Sequence, residues 1–429
     1  MQRPRAKSRR RREPGFIITL VAVFLLFVVG AMAALSIDVV TFYTARSEAQ
    51  LAADAAALAG ARVLANSGMT SSTDATLASS AVVLCQNVGK QVGASNQVGG
   101  QNIAGQITVT CAPAPQGNPT VRTQVQVTVP AFFARIWGTR QVTVTASATA
   151  EAYNPSGGLG TSNTTAPPVA PFCVKPWLLP NRNPSGTGPI FDSSGNPADP
   201  NLLGSTPAVP LTLGCTSPSG VCGLPASPAP WAYLVGDDIT FSPPTNALPS
   251  CSPALTSNYQ ASIAGCVQIP ISCNQKANID ISSYSSANWN LETANAVNCL
   301  THATNATSPG GGDSVIATSN PTAPFQFIVG SENPLALVTP SLVGSNALVS
   351  DSLVTVPVFD NGGAVLANNN QLVGFVQLFL NSDGNQTPAS GQVITTVVNL
   401  VGCVGLDTSA QPVIGNGASP VAVRLITQP

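Results

Sequence analysis

Few side chains in this 429-residue chain could carry out chemistry. There is one histidine, His302. A Ser/His/Asp or Cys/His device needs a histidine beside its nucleophile, and His302 lies in a Ser-, Thr-, Asn- and Gly-rich stretch that reads as surface loop. The paired acids Asp237-Asp238 have the chemistry to bind calcium or to act as glycosidase acids. Neighbours along a strand point to opposite faces, however, so a turn or solvated role fits them better. Gly310-Gly311-Gly312 lacks the following Lys-Ser/Thr of a phosphate loop and reads as linker. The 5 Tyr and 4 Trp are too few and scattered for a sugar-stacking platform. The residues therefore predict no catalytic group, no cofactor, no metal site and no small-molecule substrate.

Cysteine is the exception. There are 10: Cys85, Cys111, Cys173, Cys215, Cys222, Cys251, Cys266, Cys273, Cys299 and Cys403. All follow the apolar stretch 16–37. An even number on one side of such a stretch fits disulfides in an oxidising compartment. Buried or free thiols are the alternative. Zinc is disfavoured, with no CxxC and a single histidine. Spacing leaves the pairing open. The nearest neighbours, Cys215/Cys222 and Cys266/Cys273, could each close a small loop.

These cysteines must be held by elements that begin with residues 16–65, which read as one long helix in two halves. The first half, FIITLVAVFLLFVVGAMAALSI (16–37), carries no charge. At 1.5 Å per residue it spans about 33 Å, enough for a hydrocarbon core of about 30 Å. The second half, DVVTFYTARSEAQLAADAAALAGARVLA (38–65), gains charges and should continue in water. A cleaved signal peptide competes with the anchor reading, since Ala31-Met32-Ala33 resembles a cleavage site. Its apolar core would be shorter, however, at about 7–15 residues. Arg3, Arg5, Lys7, Arg9, Arg10, Arg11 and Arg12 precede the span and predict a cytoplasmic N-terminus. The body would then be periplasmic, beyond a bacterial inner membrane.

Charged residues make up 8% of the chain and the net charge is −1. That balance hides a split, because the N-terminal tail holds seven of the 17 Lys/Arg. The rest is acidic, which argues against nucleic acid as a partner. Membrane lipid is the partner that the span itself implies.

Within the exported half-helix, Leu51, Ala55, Leu58 and Arg62 form a mostly apolar stripe at helical spacing. Arg46, Gln50 and Asp54 are spaced by four along one flank, and Gln50 and Asp54 are expected on the face that packs against a partner helix. Small side chains at Ala53, Ala57 and Gly60, and Gly30 with Ala34 in the span, would let another helix approach closely. Helix propensity alone also explains an alanine run.

After a break at 66–72, residues 73–88 predict a second helix. Strands follow at 103–110, 121–129 and 141–150, where β-branched residues alternate. Val121, Thr123, Val125, Val127 and Val129 share one face. Between the last two strands, AFFARIWG (131–138) reads as a short helix or tight apolar turn. The fold class expected is α+β: a single N-terminal transmembrane helix continues into a long Ala-rich helix packed on an antiparallel sheet. A loop- and β-rich, disulfide-containing region follows. The boundaries are 1–15 basic tail, 16–37 span, 38–152 pilin-like α+β domain, 153–171 linker, 172–324 Cys/Pro/Gly-rich loops and 325–429 C-terminal β-rich region.

Residues 172–320 show short strands at 233–234, 239–241 and 266–271; a large disordered insertion is the alternative. Phe172, Trp177, Trp231 and Trp289 argue against wholesale disorder. Farther on, strands are expected at 325–329, 353–359, 371–380, 393–401 and 421–426. Asn-Gly at 361–362 and Asp-Gly at 383–384 favour tight hairpins.

Residues 30–61 resemble the N-terminal segment of TadG-like proteins of the Tad (tight-adherence, Flp-pilus) assembly system. The features that carry the likeness are Asp38 just past the span, Arg46, Gln50 and the block Ala52-Ala53-Asp54-Ala55-Ala56-Ala57-Leu58-Ala59. Stretches 125–152 and VTVPVFDNGG with GFVQLFL are similar more weakly. Tad pseudopilins are cut after a Gly with Glu five positions on, whereas here Gly15 is followed by Leu20 at that place. The TadG-like branch therefore fits better. Some members carry a von Willebrand A domain with a metal-binding D-x-S-x-S. The strings beginning at Asp192 and Asp280 each lack the second Ser, so none is expected here.

The resemblance implies a non-enzymatic, membrane-anchored component of a Tad/Flp-type pilus assembly or secretion system. Its partners would be pilus-assembly proteins of the inner membrane or periplasm, met by helix packing. A membrane-tethered adhesin or ligand-binding module, with the Cys-rich middle as its working end, is the alternative.

Overall fold

The computed structural model describes residues 15–70, 75–113, 118–153, 169–205, 210–214, 224, 229–237, 251, 254–267, 269–281, 286–302, 311–316, 326–346, 349–360, 365–381, 391–403, 411–412 and 420–426. The basic tail with Arg9, Arg10, Arg11 and Arg12 lies outside these residues. So do the linker core 154–168, Cys215, Cys222, Asp238, the strand expected at 239–241 and both hairpin turns.

Helix α1 runs unbroken over Gly15–Asn66, 52 residues. Nothing in its sequence breaks it, since it has no proline and its glycines are isolated. Between Ile17 and Tyr43 its large apolar side chains are exposed except Val28 and Phe42, which are half-buried, Phe42 against the core of the head. From Ala45 onward one broad arc is buried: Ala45, Ala49, Ala52, Ala53, Ala56, Ala57, Ala61 and Leu64.

Against that arc pack helix α2 (Ala75–Ala94) and three strands: β1 (Ile107–Ala112), β2 (Thr120–Pro130) and β3 (Gln141–Tyr153). The strands are antiparallel neighbours, as their alternation predicts. In β2, Val121, Thr123, Val125, Val127 and Val129 face inward and the intervening residues face outward. Inward positions of β3 under α1 are small, with Ala146, Ala148 and Ala150 following Val144. Small residues on both surfaces let the backbones approach. The Thr123 hydroxyl donates to the Ala53 carbonyl oxygen at 2.7 Å, satisfying a buried polar group across that contact.

Three local readings are corrected here. The stripe through Leu51 is not the buried face, because Leu51 is 62% exposed. Alanine makes most of the close contact instead, with Leu64 joining it near the end of the helix and Leu58 packed at its margin. Helix α2 extends past 88 to Ala94, because Gly89 and Gly93, spaced by four, lie against α1 and do not end the helix. A Cβ at Gly93 would come within 2.8 Å of Ile107 Cδ1 and 3.0 Å of Ala56 Cβ. Among the described residues of 266–271, no strand forms.

The body is a second, mixed sheet. Its main strands are β4 (Trp177–Pro180), β5 (Ala232–Val235), β6 (Leu353–Asp360), β7 (Asn370–Leu380) and β8 (Thr395–Gly402). The spatial order is β7-β6-β4-β5, with β8 also paired to β7. The stretches 172–324 and 325–429 thus supply strands to one sheet. β6 and β4 run parallel, and β6 and β7 antiparallel. Helices α3 (Asn258–Ala264) and α4 (Ser286–Leu300) cover it. Its core is aromatic: Trp177, Trp231, Trp289 and Tyr233 are among its largest buried side chains. Thr293 of α4 meets the hydroxyls of Tyr233 at 2.9 Å and Tyr259 at 2.7 Å, and Trp177 Nε1 donates to Tyr259 at 3.1 Å. Burial pushes the Tyr233 hydroxyl up to about 12, against the opposing hydrogen bonds from Thr293 and Tyr259.

The head, formed by α1, α2 and β1–β3, meets the body through an apolar cluster that takes in Ala65, Ala152, Val174 and Leu178, and through two further contacts. Strand β9 (Ala422–Ile426) returns from the C-terminal end to pair antiparallel with β3. Asn399 of β8 donates to the Ala65 carbonyl oxygen at the end of α1, at 2.6 Å. Among the described residues four disulfides form: Cys85–Cys111 in the head, and Cys173–Cys266, Cys251–Cys299 and Cys273–Cys403 in the body. The Cys266/Cys273 small loop is therefore corrected. Each partner bonds instead to a cysteine distant in sequence, because the sheet brings remote segments together. Among the described residues no cysteine is free.

Candidate functional site

The two halves of α1 meet at Asp38. Its carboxylate is buried beneath the turn that links β2 to β3. Oδ1 accepts from the backbone N–H of Phe132 at 2.9 Å, and Oδ2 from Phe133 at 3.0 Å and Ala134 at 2.6 Å. Those N–H groups open a short 3-10 helix, Ala134–Trp137, and would otherwise lack acceptors. Burial alone would push the carboxyl up. The bonds from Ala134, Phe132 and Phe133 together outweigh that and hold it below the ordinary carboxylate value. A charged acceptor thus clamps the turn to the helix at the point where the uncharged stretch ends.

Seven residues were expected on a face that packs against a partner helix, and the structure divides them. Ala53 and Ala57 are fully buried against the chain's own sheet and second helix. Gly60 is closed by Val121 and Cys85, and a Cβ there would lie 2.9 Å from Val121 Cγ1. Gln50 donates to Asp54 Oδ1 at 2.8 Å and to the Ser147 carbonyl oxygen of β3 at 3.1 Å. The Gln50–Asp54 pair therefore braces the helix on the sheet. Gly30 and Ala34 belong to the exposed half of α1, and nothing lies within 4 Å of a Cβ placed on Gly30.

Two of the other candidates, His302 and Asp192, have partners within the fold. His302 is corrected from surface loop to partly buried: its side chain is 17% exposed and its Nε2 lies 3.5 Å from Asp351 Oδ2. Asp192 accepts from the backbone N–H of Ser194 and Asn196 at 2.8 Å each, closing its own turn. Sequence reasoning passed over Lys175, a fully buried lysine of the body. Its Nζ donates to the carbonyl oxygens of Ile263 at 2.6 Å and Gly265 at 2.9 Å, at the end of α3. Desolvation lowers its pKa to about 8, partly opposed by Asp351. The signal was there: Lys175 is the one charge in the apolar run from Phe172 to Leu179.

An exposed apolar rod running into an α+β head defines a membrane-anchored protein. Residues 15–63 match the family described as Tad, putative Flp pilus-assembly TadE/G-like. The match ends just short of the end of α1 and takes in both the rod and its seat on the sheet. No curated protein and no solved structure matches the chain. The matched segment supports a role related to Tad/Flp pilus assembly.

Proposed function

We propose that this is a non-enzymatic component of a Tad/Flp-type assembly or secretion system. It is anchored in the bacterial inner membrane by an uncleaved span, with its N-terminus cytoplasmic and its disulfide-bonded body periplasmic. It acts by binding pilus-assembly proteins. The observation that carries the reading is the continuity of α1: one helix is both the exposed apolar span and the central support of the head. Force or contact at the membrane is thereby transmitted to the head along one helix.

Because Ala53, Ala57 and Gly60 are occupied within the chain, the face left for a partner's helix is that of Gly30 and Ala34. The Tad segment supports this reading, as does the small-xxx-small spacing, which allows close helix contact in lipid. Gly30→Leu with Ala34→Leu should abolish photocrosslinking from the span to inner-membrane assembly proteins and reduce pilus number, with the four body and head disulfides intact. Unchanged crosslinking and piliation would overturn it.

A second reading, a partner-binding body, has one supporting feature. Leu337 is 65% exposed and Val338 83% exposed on the helix Pro334–Val338, beside Val343. Exposed apolar clusters of this kind mark interaction surfaces. Val338→Asp should then cost surface binding while leaving assembly intact.

A further inference from the structure

The turn between β2 and β3 exposes what a soluble turn normally hides. Phe132 is 61% exposed and Ile136 74% exposed. Arg135 and Arg140 flank them, also exposed. No Asp or Glu occurs in the sequence from Ala75 to Ala150, although the chain beyond its N-terminal tail is acidic. The turn is therefore a local cationic and apolar spot on an acidic protein.

Its position explains the composition. The turn is bonded to Asp38, and Asp38 follows directly on the exposed apolar stretch that begins at Ile17. Those 21 steps at 1.5 Å rise about 32 Å, one hydrocarbon thickness, so the clamp lies at the level where lipid tails give way to headgroups. Exposure of apolar side chains on α1 continues one further turn past that level, through Val40 at 64% to Tyr43 at 70%. A tyrosine there sits where aromatic residues favour the interface. The apolar surface of the turn is thus continuous with that of the span.

We propose that the turn 131–140 is a membrane-docking element. Phe132 and Ile136 enter the leaflet on the side of the body, and Arg135 and Arg140 lie among the lipid phosphates. The Asp38 clamp sets the depth and fixes the head's orientation to the bilayer. Two attachments, the rod and the turn, hold the head where one alone would leave it free to pivot. The inference rests on 16–37 spanning the membrane, and its test separates the two claims.

The full chain is reconstituted into vesicles of phosphatidylethanolamine and phosphatidylglycerol. A nitroxide is attached at Ile136→Cys, at Leu26→Cys in the span or at Ser147→Cys on the exposed part of β3. Collision with oxygen, relative to a water-soluble nickel complex, reports depth. The ratio at 136 should be severalfold above that at 147 and approach that at 26. A ratio at 136 equal to that at 147, with 26 reading as lipid, overturns docking and leaves the anchor standing. A label at 26 reading as water overturns both. Phe132→Cys provides the same reading from the neighbouring side chain. Pure lipid excludes a protein partner as the cause of any protection.

Discussion

The head and the body of this protein solve the same burial problem with opposite materials. In the head, helix meets helix and sheet through Ala49, Ala53, Ala57, Gly89, Gly93, Ala146 and Ala148, so the gain comes from close backbone approach. In the body, Trp177, Trp231, Trp289 and Tyr233 fill a wider space between sheet and helices. An interface of small residues is intolerant of added volume, whereas an aromatic core is intolerant of lost volume. The difference suits a head that must hold one rigid rod, beside a body assembled from segments far apart in sequence.

The contrast can be broken most severely in the body. Trp177→Ala removes a fully buried ring and leaves Tyr259 without its indole donor. It should cost about 3–5 kcal/mol, read as a fall in the urea midpoint of the full chain in nanodiscs. In the head the damaging change runs the other way. Ala57→Leu should cost about 1–3 kcal/mol by overpacking. Leu51→Ala, on the exposed stripe, should stay within about 0.5 kcal/mol. Equal effects at 51 and 57 would remove the distinction between small-residue contact and ordinary apolar burial.

A smaller effect comes from Lys175. Its folded pKa, about 8, lies below the ordinary lysine value of 10.5. Between those values the unfolded chain binds more protons at this site, so its contribution to stability rises with pH from about 8 to 10.5. Below that window the lysine is charged in both states and the contribution is flat. The raised Tyr233 acts in the opposite sense above its ordinary value of 10. The comparison is therefore between wild type and Lys175→Met: the wild-type urea midpoint should rise relative to that of the variant as pH climbs from 8 to 10. Parallel profiles would place the ammonium in water.

The contrast also explains what the sequence could show. Period-two strands with one wet face, as in β2, are legible because burial writes itself into alternate residues. The apolar rod is legible by length. In the head, the eye follows leucine, and Leu51, Leu58 and Arg62 trace a stripe that runs from solvent to the margin of the interface, whose centre alanine forms. Gly89 and Gly93 look like helix breakers but are contact points. Helix α4 carried a signal that went unused: Trp289, Thr293, Ala296, Val297 and Leu300 repeat at helical spacing, and all are buried. Disulfide partners were illegible because sheet topology, and not chain proximity, pairs Cys273 with Cys403 across 130 residues. The candidate site was half visible. Asp38 stands out by its place at the end of an uncharged run, but its acceptor role depends on a turn 94 residues away.

The central claim is that one uninterrupted helix carries the membrane segment into the head, clamped at Asp38. Hydrogen–deuterium exchange of the full chain in nanodiscs, resolved by peptide, tests it directly. Continuous protection from 17 through 64 is expected, including 36–46, with 131–134 protected alongside. Fast exchange confined to 36–46, with slow exchange on both sides, would reveal a hinge where the account places a rod and would contradict it.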